Sequence, residues 1–166
     1  MRDELLLGEW ACLGILCQGP AHGFAVAARL KPDGDVGRVW SMSRALTYRA
    51  LEQLAQRGYV AATAEERGLA GGNRTVLAVT RSGRAAMRRW LAAPVPHLRD
   101  LRSELLLKLV LCEVCGVDPS PMLRQQHARV AAMVAAFDAS PADDAVALWR
   151  RESSRAALRV IEQLLG

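Results

Sequence analysis

The sequence predicts a mainly α-helical fold with one small β-hairpin, in a chain of 166 residues. Three observations support this fold class. Leu and Ala dominate the composition while only 5% of the residues are aromatic, and Leu and Ala form helices more readily than strands. Apolar residues recur at spacings of three and four in seven segments, as on one face of a helix. One pair of segments rich in Val, Thr and Tyr flanks a glycine-rich stretch, which is typical of a hairpin.

Three helices come first in the chain. The first is predicted within residues 5–17 and carries on one face Leu6, Trp10, Leu13 and Cys17. Gly19 and Pro20 end it, and a short second helix has apolar positions at Phe24, Ala27, Ala28 and Leu30. Ser41 or Ser43 can cap a third helix that ends at Gly58. Its apolar side is predicted to carry Leu46, Ala50, Leu51 and Leu54.

A hairpin and a fourth helix follow. Residues 59–63 and 75–80 are the predicted strands, and residues 67–74 form a glycine-rich tip. The spacing of these glycines matches neither a P-loop nor a dinucleotide-binding loop, so the tip is interpreted as a turn. Thr80 is the predicted cap of the fourth helix, which Pro94 and Pro96 end. We therefore place the boundary between a first domain, residues 1–93, and a second part, residues 94–166.

The second part contains three amphipathic helices. Their apolar positions are Leu98, Leu101, Leu105, Leu109 and Cys112, then Leu123, His127, Val130, Val134 and Phe137, then Val146, Trp149, Ala156, Val160 and Leu164. In the last helix, Arg150, Arg151 and Arg155 are predicted on or near the opposite face. Three helices of this length are too little chain for a self-contained globule. We expect them to pack against the first domain and against a second copy, forming a homodimer.

The positive charge is concentrated in the first domain. The chain has a net charge of +5 and a pI of about 9.5. Residues 1–93 contain 13 Lys and Arg against 8 Asp and Glu, whereas residues 94–166 contain 9 of each kind. A basic domain followed by a neutral, Leu- and Ala-rich one favours a polyanion-binding module joined to an assembly module.

No export signal or membrane span is expected. Charged residues at positions 2–4 and at Glu9 bracket only three leucines, which is short of the apolar core of a signal peptide. The most apolar stretch, residues 105–115, is interrupted by Lys108 and Glu113 and falls below the ~18 uncharged residues of a span. We therefore expect a cytoplasmic protein with free thiols.

Helix, helix, helix, hairpin and helix is the element order of a winged helix-turn-helix domain, and three segments narrow the class further. Residues 13–24 read LGILCQGPAHGF, residues 48–60 read YRALEQLAQRGYV, and residues 77–84 read LAVTRSGR. Each motif is weak alone, but their order and spacing match throughout. Together they resemble the PadR-type transcriptional regulators.

This resemblance implies a dimeric, usually repressing regulator that binds operator DNA and dimerises through its C-terminal helices. The third helix departs from the family pattern, because Thr47 stands where a leucine is common and Arg49 where a proline is common. Both positions belong to the predicted recognition helix. The departures therefore bear on the DNA sequence preference rather than on the fold.

Candidate DNA-binding residues lie on the third helix and the hairpin. Opposite the predicted apolar side, the third helix presents Ala45, Tyr48, Arg49, Glu52 and Gln56. Arg44 and Arg49 can bind a guanine edge or a phosphate, and Tyr48 suits a phosphate. Ser41 and Ser43 can cap the helix, contact a phosphate, or do both. In the hairpin the candidates for a wing are Arg67, Asn73 and Arg74.

The cysteines allow three interpretations. Cys12 and Cys17 form one close pair in sequence, and Cys112 and Cys115 form a Cys-x-x-Cys pair. Both pairs are embedded in apolar helical segments, which favours buried core thiols. Thiol sensing and zinc binding remain as alternatives.

Three tryptophans suggest a site for an effector in this aromatic-poor chain. Trp10, Trp90 and Trp149 could line an apolar cavity at the centre of a dimer and bind a flat hydrophobic or aromatic molecule. Ordinary core and interface packing is the alternative, since large aromatic side chains contribute most to burial in any case.

The sequence carries no recognisable catalytic motif. It contains no His-Glu-x-x-His motif, no Walker lysine and no Ser-His-Asp order with a supporting motif. We therefore expect neither enzymatic activity nor a cofactor. The competing function is a non-catalytic adaptor that keeps the winged-helix scaffold but binds another protein, although such an adaptor has no need for positive charge beside the third helix.

Overall fold

The computed structural model describes residues 4–67 and 73–166. Those ranges contain seven α-helices and three strands. In chain order the elements are α1 (Leu7–Gln18), β1 (Ala21–His22), α2 (Gly23–Arg29), α3 (Arg44–Gln56), β2 (Val60–Arg67), β3 (Asn73–Val79), α4 (Arg81–Ala92), α5 (Leu106–Cys115), α6 (Ser120–Asp138) and α7 (Ala145–Leu165). The mainly helical fold with a small hairpin is thus confirmed.

The three strands form one antiparallel sheet in the order β1-β3-β2. The hairpin register pairs Val60 with Val79, and an irregularity follows between Ala62 and Ala64. Strand β1 adds to the other edge of β3, with Ala21 opposite Leu77. The sequence did not predict β1, because two residues are too few to show an alternating pattern.

Helix α1 lies at the centre of the first hydrophobic core. It is buried on every side from Gly8 to Leu16, against α3, α5, α4 and β3. The one-sided apolar face predicted for this helix is therefore wrong. Leu6, placed on that face, is instead the exposed residue that precedes the helix, and its backbone N–H donates to the Glu9 carboxylate at 2.8 Å.

Helix α4 is fixed to the end of α3 by a dense group of hydrogen bonds. Gly58, at φ 69°, ends α3, and the Thr80 hydroxyl donates to the Gly58 carbonyl at 2.7 Å. The same hydroxyl accepts the Gly83 backbone N–H and so caps α4, as predicted. A Cβ on Gly83 would lie 2.2 Å from the Tyr59 carbonyl oxygen. The Thr-x-x-Gly motif therefore encodes a close helix-to-strand junction.

The first core extends across the predicted domain boundary. Trp10 stacks on Trp90 with ring centroids 4.8 Å apart, and the Lys108 ammonium lies 4.8 Å from the Trp90 centroid. The Lys108 Nζ also donates to the Ala93 carbonyl at 2.7 Å and lies 3.0 Å from a Glu104 carboxylate oxygen. Burial lowers the pKa of Lys108 from its ordinary value even with this partner. The boundary at residue 93 stays a prediction.

The segment before α5 departs from the single long helix that the sequence predicts. A 3₁₀ turn, Leu98–Asp100, and a π-helical stretch, Leu101–Leu105, lead into α5. Upstream of the turn, Val95 is held by Gln126 of α6. The Val95 N–H donates to the side-chain oxygen at 2.6 Å, and the side-chain nitrogen donates to the Val95 carbonyl at 3.1 Å. Val95 is thus held to α6, and the chain that follows it reaches α5 through a 3₁₀ turn and a π-helical stretch instead of one continuous α-helix.

Helix α7 faces α6 with the side that carries arginines. Arg155 lies 2.9 Å from the Asp138 carboxylate of α6, and Arg151 donates to the Ser140 carbonyl. Ile161 is buried in a second hydrophobic cluster. The predicted apolar face of α7 is instead exposed in the single chain. Its exposed members are Val146, Trp149, Val160 and Leu164.

Among the described residues, no helix is both long enough and apolar enough to span a membrane.

Candidate nucleic-acid interface

The N-terminus of α3 is an exposed, capped helix end. The Ser43 hydroxyl accepts the Leu46 backbone N–H at 3.3 Å, and its carbonyl accepts both the Thr47 N–H and the Thr47 hydroxyl at 3.0 Å. The sequence allows either Ser41 or Ser43 as the cap of α3, and in the structure the cap is Ser43. Ser41 is exposed two residues before it, beside the positive end of the helix dipole.

One side of α3 is exposed along its full length. The side chains predicted to face outward are all exposed, namely those of Ala45, Tyr48, Arg49, Glu52 and Gln56, and Arg44 is exposed with them. The predicted apolar side needs one correction. Leu46 is 50% exposed, and Thr47 is fully buried in its place. Thr47 is therefore a core residue, so its departure from the family pattern cannot alter base contacts directly.

Arg44 and Tyr48 are held together with Phe24 of α2. The Arg44 guanidinium carbon lies 5.4 Å from the Phe24 ring centroid and 5.7 Å from the Tyr48 ring centroid, within the range of cation–π attraction. The Tyr48 ring packs against Gly23, where a Cβ would lie 2.8 Å from Cε1 of the ring. His22 caps α2 through its Nδ1, which accepts the Ala25 N–H at 3.1 Å.

Phe24 is the member of this surface that the sequence did not predict. The spacing predicts Phe24 on the apolar side of α2, yet its side chain is 49% exposed. The available signal was its position directly after a helix cap and Gly23, where a side chain can point away from the core. Phe24 orients Arg44 and thereby contributes to the same surface.

Arg49 lies at the edge of an apolar cavity of about 640 Å³. Among the residues that line it are Leu6, Trp40, Met42, Leu46 and Gln53. Arg49 is thus surrounded by apolar groups on one side and by solvent on the other. Its guanidinium can extend from the outer face of α3.

The hairpin candidates are positioned by their backbone. Arg67 pairs with Asn73, and Glu66 pairs with Arg74, at the far end of β2 and β3. They therefore belong to the strands, beyond the strand ends predicted at Thr63 and Thr75. The side chains of Arg67, Asn73 and Arg74 lie outside the described part of the chain, as does the predicted tip at residues 68–72.

Two of the three candidate effector residues meet in this chain. Trp10 and Trp90 stack and both line a cavity of about 400 Å³ with Leu5, Tyr59 and Arg89. Trp149 lies on α7, where it is 73% exposed. The structure does not bring Trp149 to the other two within one chain.

All four cysteines are free thiols. Burial raises the pKa of Cys12 to about 12 and that of Cys112 to about 11. The cysteines that are close in sequence are Cys12 with Cys17 and Cys112 with Cys115, but the structure points to a different pair. Instead, Cys115 at the end of α5 lies against the end of α1, where its Sγ is 3.6 Å from the carbonyl oxygen of Gly14, one turn before Cys17. Within residues 4–67 and 73–166 no group of three or more His, Cys, Asp or Glu side chains is arranged to hold a metal ion.

A helical unit with an exposed, capped third helix, followed by a two-stranded hairpin and α4, defines a winged helix-turn-helix domain. Residues 12–89 match the model of the transcriptional regulator PadR-like family. The match confirms, for this part of the chain, the resemblance found in the sequence.

The fold is similar to that of a solved structure. Bacillus subtilis PadR in complex with operator DNA is 17% identical over 95% of this chain and 97% of its own, with a TM-score of 0.50. The Vibrio cholerae virulence activator AphA is 24% identical, with 96% of this chain and 92% of its own covered and a TM-score of 0.45. No curated protein sequence matches this chain significantly.

Proposed function

We propose that this chain is a homodimeric transcriptional repressor that binds operator DNA through α3 and the hairpin. The observation that carries the proposal is the exposed face of α3, where Arg44, Tyr48 and Arg49 project beside a capped helix N-terminus. The PadR-like match of residues 12–89 supports it. So does the net charge of +5, since cationic surfaces bind the phosphate backbone.

The side chains of α3 suit distinct contacts. Arg49 can donate two parallel hydrogen bonds to a guanine edge in the major groove. Arg44, oriented by Phe24 and Tyr48, lies near the helix end that usually contacts bases. Tyr48 has a hydroxyl for a phosphate oxygen, and Ser41 and Ser43 lie where a phosphate meets the helix N-terminus. Arg67, Asn73 and Arg74 are assigned to the wing.

The exposed face of α7 supports dimerisation. Val146, Trp149, Val160 and Leu164 are spaced along one side of a 21-residue helix and are exposed in the single chain. An apolar stripe of this length in water costs free energy unless another surface covers it. A second copy of the same helix presents a complementary apolar stripe, and the two recognition helices are then held at a fixed separation.

Release from DNA follows from changing that separation. Two recognition helices contact half-sites about 34–36 Å apart, roughly one turn of DNA. A hydrophobic or aromatic effector, bound by Trp10 and Trp90 with Trp149 of either copy, would favour a different arrangement of the C-terminal helices and lower operator affinity.

Selection from a pool of random DNA duplexes tests this function and identifies the operator in the same experiment. The proposal predicts enrichment of a sequence with two related half-sites, bound by two copies of the chain. The Arg49→Ala variant should enrich a less restricted sequence, whereas Arg129→Ala, an exposed arginine of α6, should enrich the wild-type one. If wild-type protein enriches no sequence at all, the proposal is wrong and the adaptor function is favoured.

A further inference from the structure

Helices α1 and α5 approach each other closely because Gly14 has no side chain. A Cβ at Gly14 would lie 2.6 Å from a methyl carbon of Leu111. One turn further along both helices, the approach brings Cys17 and Cys115 together. The Cys115 thiol lies 3.6 Å from the carbonyl oxygen of Gly14, in the turn of α1 that carries Cys17. The two thiols therefore lie on the facing sides of the α1–α5 contact, which is the placement that a disulfide between these helix ends needs.

The surroundings distinguish Cys17 from Cys12 and Cys112. Cys17 is half-buried, and Arg84 of α4 donates to the Cys17 carbonyl oxygen at 2.9 Å. The hydrogen bond from Cys115, together with the charges of Arg84 and Arg88, lowers the pKa of Cys17 from its ordinary value. Cys12 and Cys112 are buried, which keeps both protonated at neutral pH. The thiolate is the reactive form of cysteine, so reactivity concentrates at Cys17.

We propose that Cys17 and Cys115 form an oxidant-responsive dithiol, in which Cys17 is the thiol that reacts first with a peroxide and Cys115 is the one that resolves the product. The Cys17 thiolate sulfur attacks one peroxide oxygen. An S–O bond forms, the O–O bond breaks, and the second oxygen leaves as an alcohol or water after taking a proton. The Cys115 sulfur then attacks the sulfenic sulfur, an S–S bond forms, and water leaves. In sum, two thiols lose two electrons and two protons to one peroxide.

The disulfide joins the end of α1 to the end of α5. Helix α1 packs against α3. Val117 lies in the segment between α5 and α6, and its N–H donates to the Cys112 carbonyl at 2.8 Å. Oxidation therefore ties a helix that supports α3 to the start of the C-terminal helices. The dithiol is independent of the proposed DNA-binding function, and its test uses no DNA.

Hydrogen peroxide treatment of the reduced, full-length protein tests the proposal. The free thiols, counted after unfolding in denaturant, should fall from four to two. Peptide mapping without reduction should recover Cys17 linked to Cys115 within one chain. In the Cys115→Ser variant the reaction should stop at a Cys17 sulfenic acid that dimedone traps.

Cys112→Ala is the matched control, because it removes the other cysteine of the Cys-x-x-Cys pair. It should still form the Cys17–Cys115 bond, and Cys17→Ser should retain its three remaining thiols. The proposal is overturned if folded wild-type protein keeps four thiols. A Cys112–Cys115 bond, or a bond between two chains in its place, also overturns it. Circular dichroism of each variant before treatment establishes that the proteins compared are folded.

Discussion

Among the single residues of α3, those on the outer face are candidates for DNA contacts, whereas those on the inner face support the fold. Arg49 is exposed and extends from the helix. Thr47 is buried, and its hydroxyl donates a hydrogen bond to the Ser43 carbonyl. Arg44 is held by two aromatic rings, so the proposed contact with DNA would cost less side-chain entropy. Each of these positions therefore has a different expected effect on binding.

Replacing Arg49 by Ala should weaken binding to the selected operator by about 1–3 kcal/mol and relax the preference at one base position. The reason is the loss of a two-hydrogen-bond contact with a base edge. Fluorescence anisotropy with operator duplexes that carry single base changes measures both effects. Arg129→Ala removes the same charge from α6 and should change neither. Equal affinity of Arg49→Ala and wild type for the operator would contradict the assignment of Arg49.

At the scale of elements, sequence patterns predict the helices and their ends better than they predict which face of each helix is covered by other elements. The sequence predicts Thr80 and Gly58 at helix ends, and Ser43 as one of two candidate caps, because capping depends on neighbouring residues only. The choice between Leu46 and Thr47, and the exposed face of α7, depend on what packs against each helix. Cys17 and Cys115, 98 positions apart, meet only because Gly14 lets α1 and α5 approach. Periodicity within a segment carries no information about such distant contacts.

The junction of α4 with β2 should tolerate no side chain at position 83. Gly83→Ala places a methyl group against the Tyr59 carbonyl, and we expect a loss of about 1–3 kcal/mol in the free energy of unfolding. Gly19→Ala is the control. No atom lies within 4 Å of its Cβ position, and its φ of 172° is extended backbone, so its effect should stay within about 0.5 kcal/mol. Urea unfolding of both variants measures the difference, and equal midpoints would contradict the close junction.

At the scale of the whole molecule, the chain joins a basic domain that carries α3 to helices with an uncovered apolar stripe. The first core joins α1 to α4 through the Trp10–Trp90 stack and joins α5 to them through Lys108. The second cluster joins α6 to α7. Helix α3 packs in the first core and α7 packs in the second cluster. DNA binding and self-association are therefore assigned to different surfaces.

Trp149→Glu should weaken self-association without unfolding the chain, because Trp149 is 73% exposed. A charge placed in a covered apolar interface costs at least about 2 kcal/mol, which corresponds to about a 30-fold higher dimer dissociation constant. Sedimentation velocity across a concentration series measures this change. Ala92→Glu, at the exposed end of α4, is the control. An unchanged dimer in Trp149→Glu would exclude this face of α7 from the interface.

Operator reading by this chain is tested by measuring how the purified protein binds its selected operator and a scrambled duplex of equal length across a series of salt concentrations. We expect the operator to be bound at least about 1,000-fold more tightly than the scrambled duplex. We also expect affinity to fall steeply as salt rises, because basic side chains displace counterions from phosphates. Equally weak binding to both duplexes at every salt concentration would contradict an operator-reading regulator.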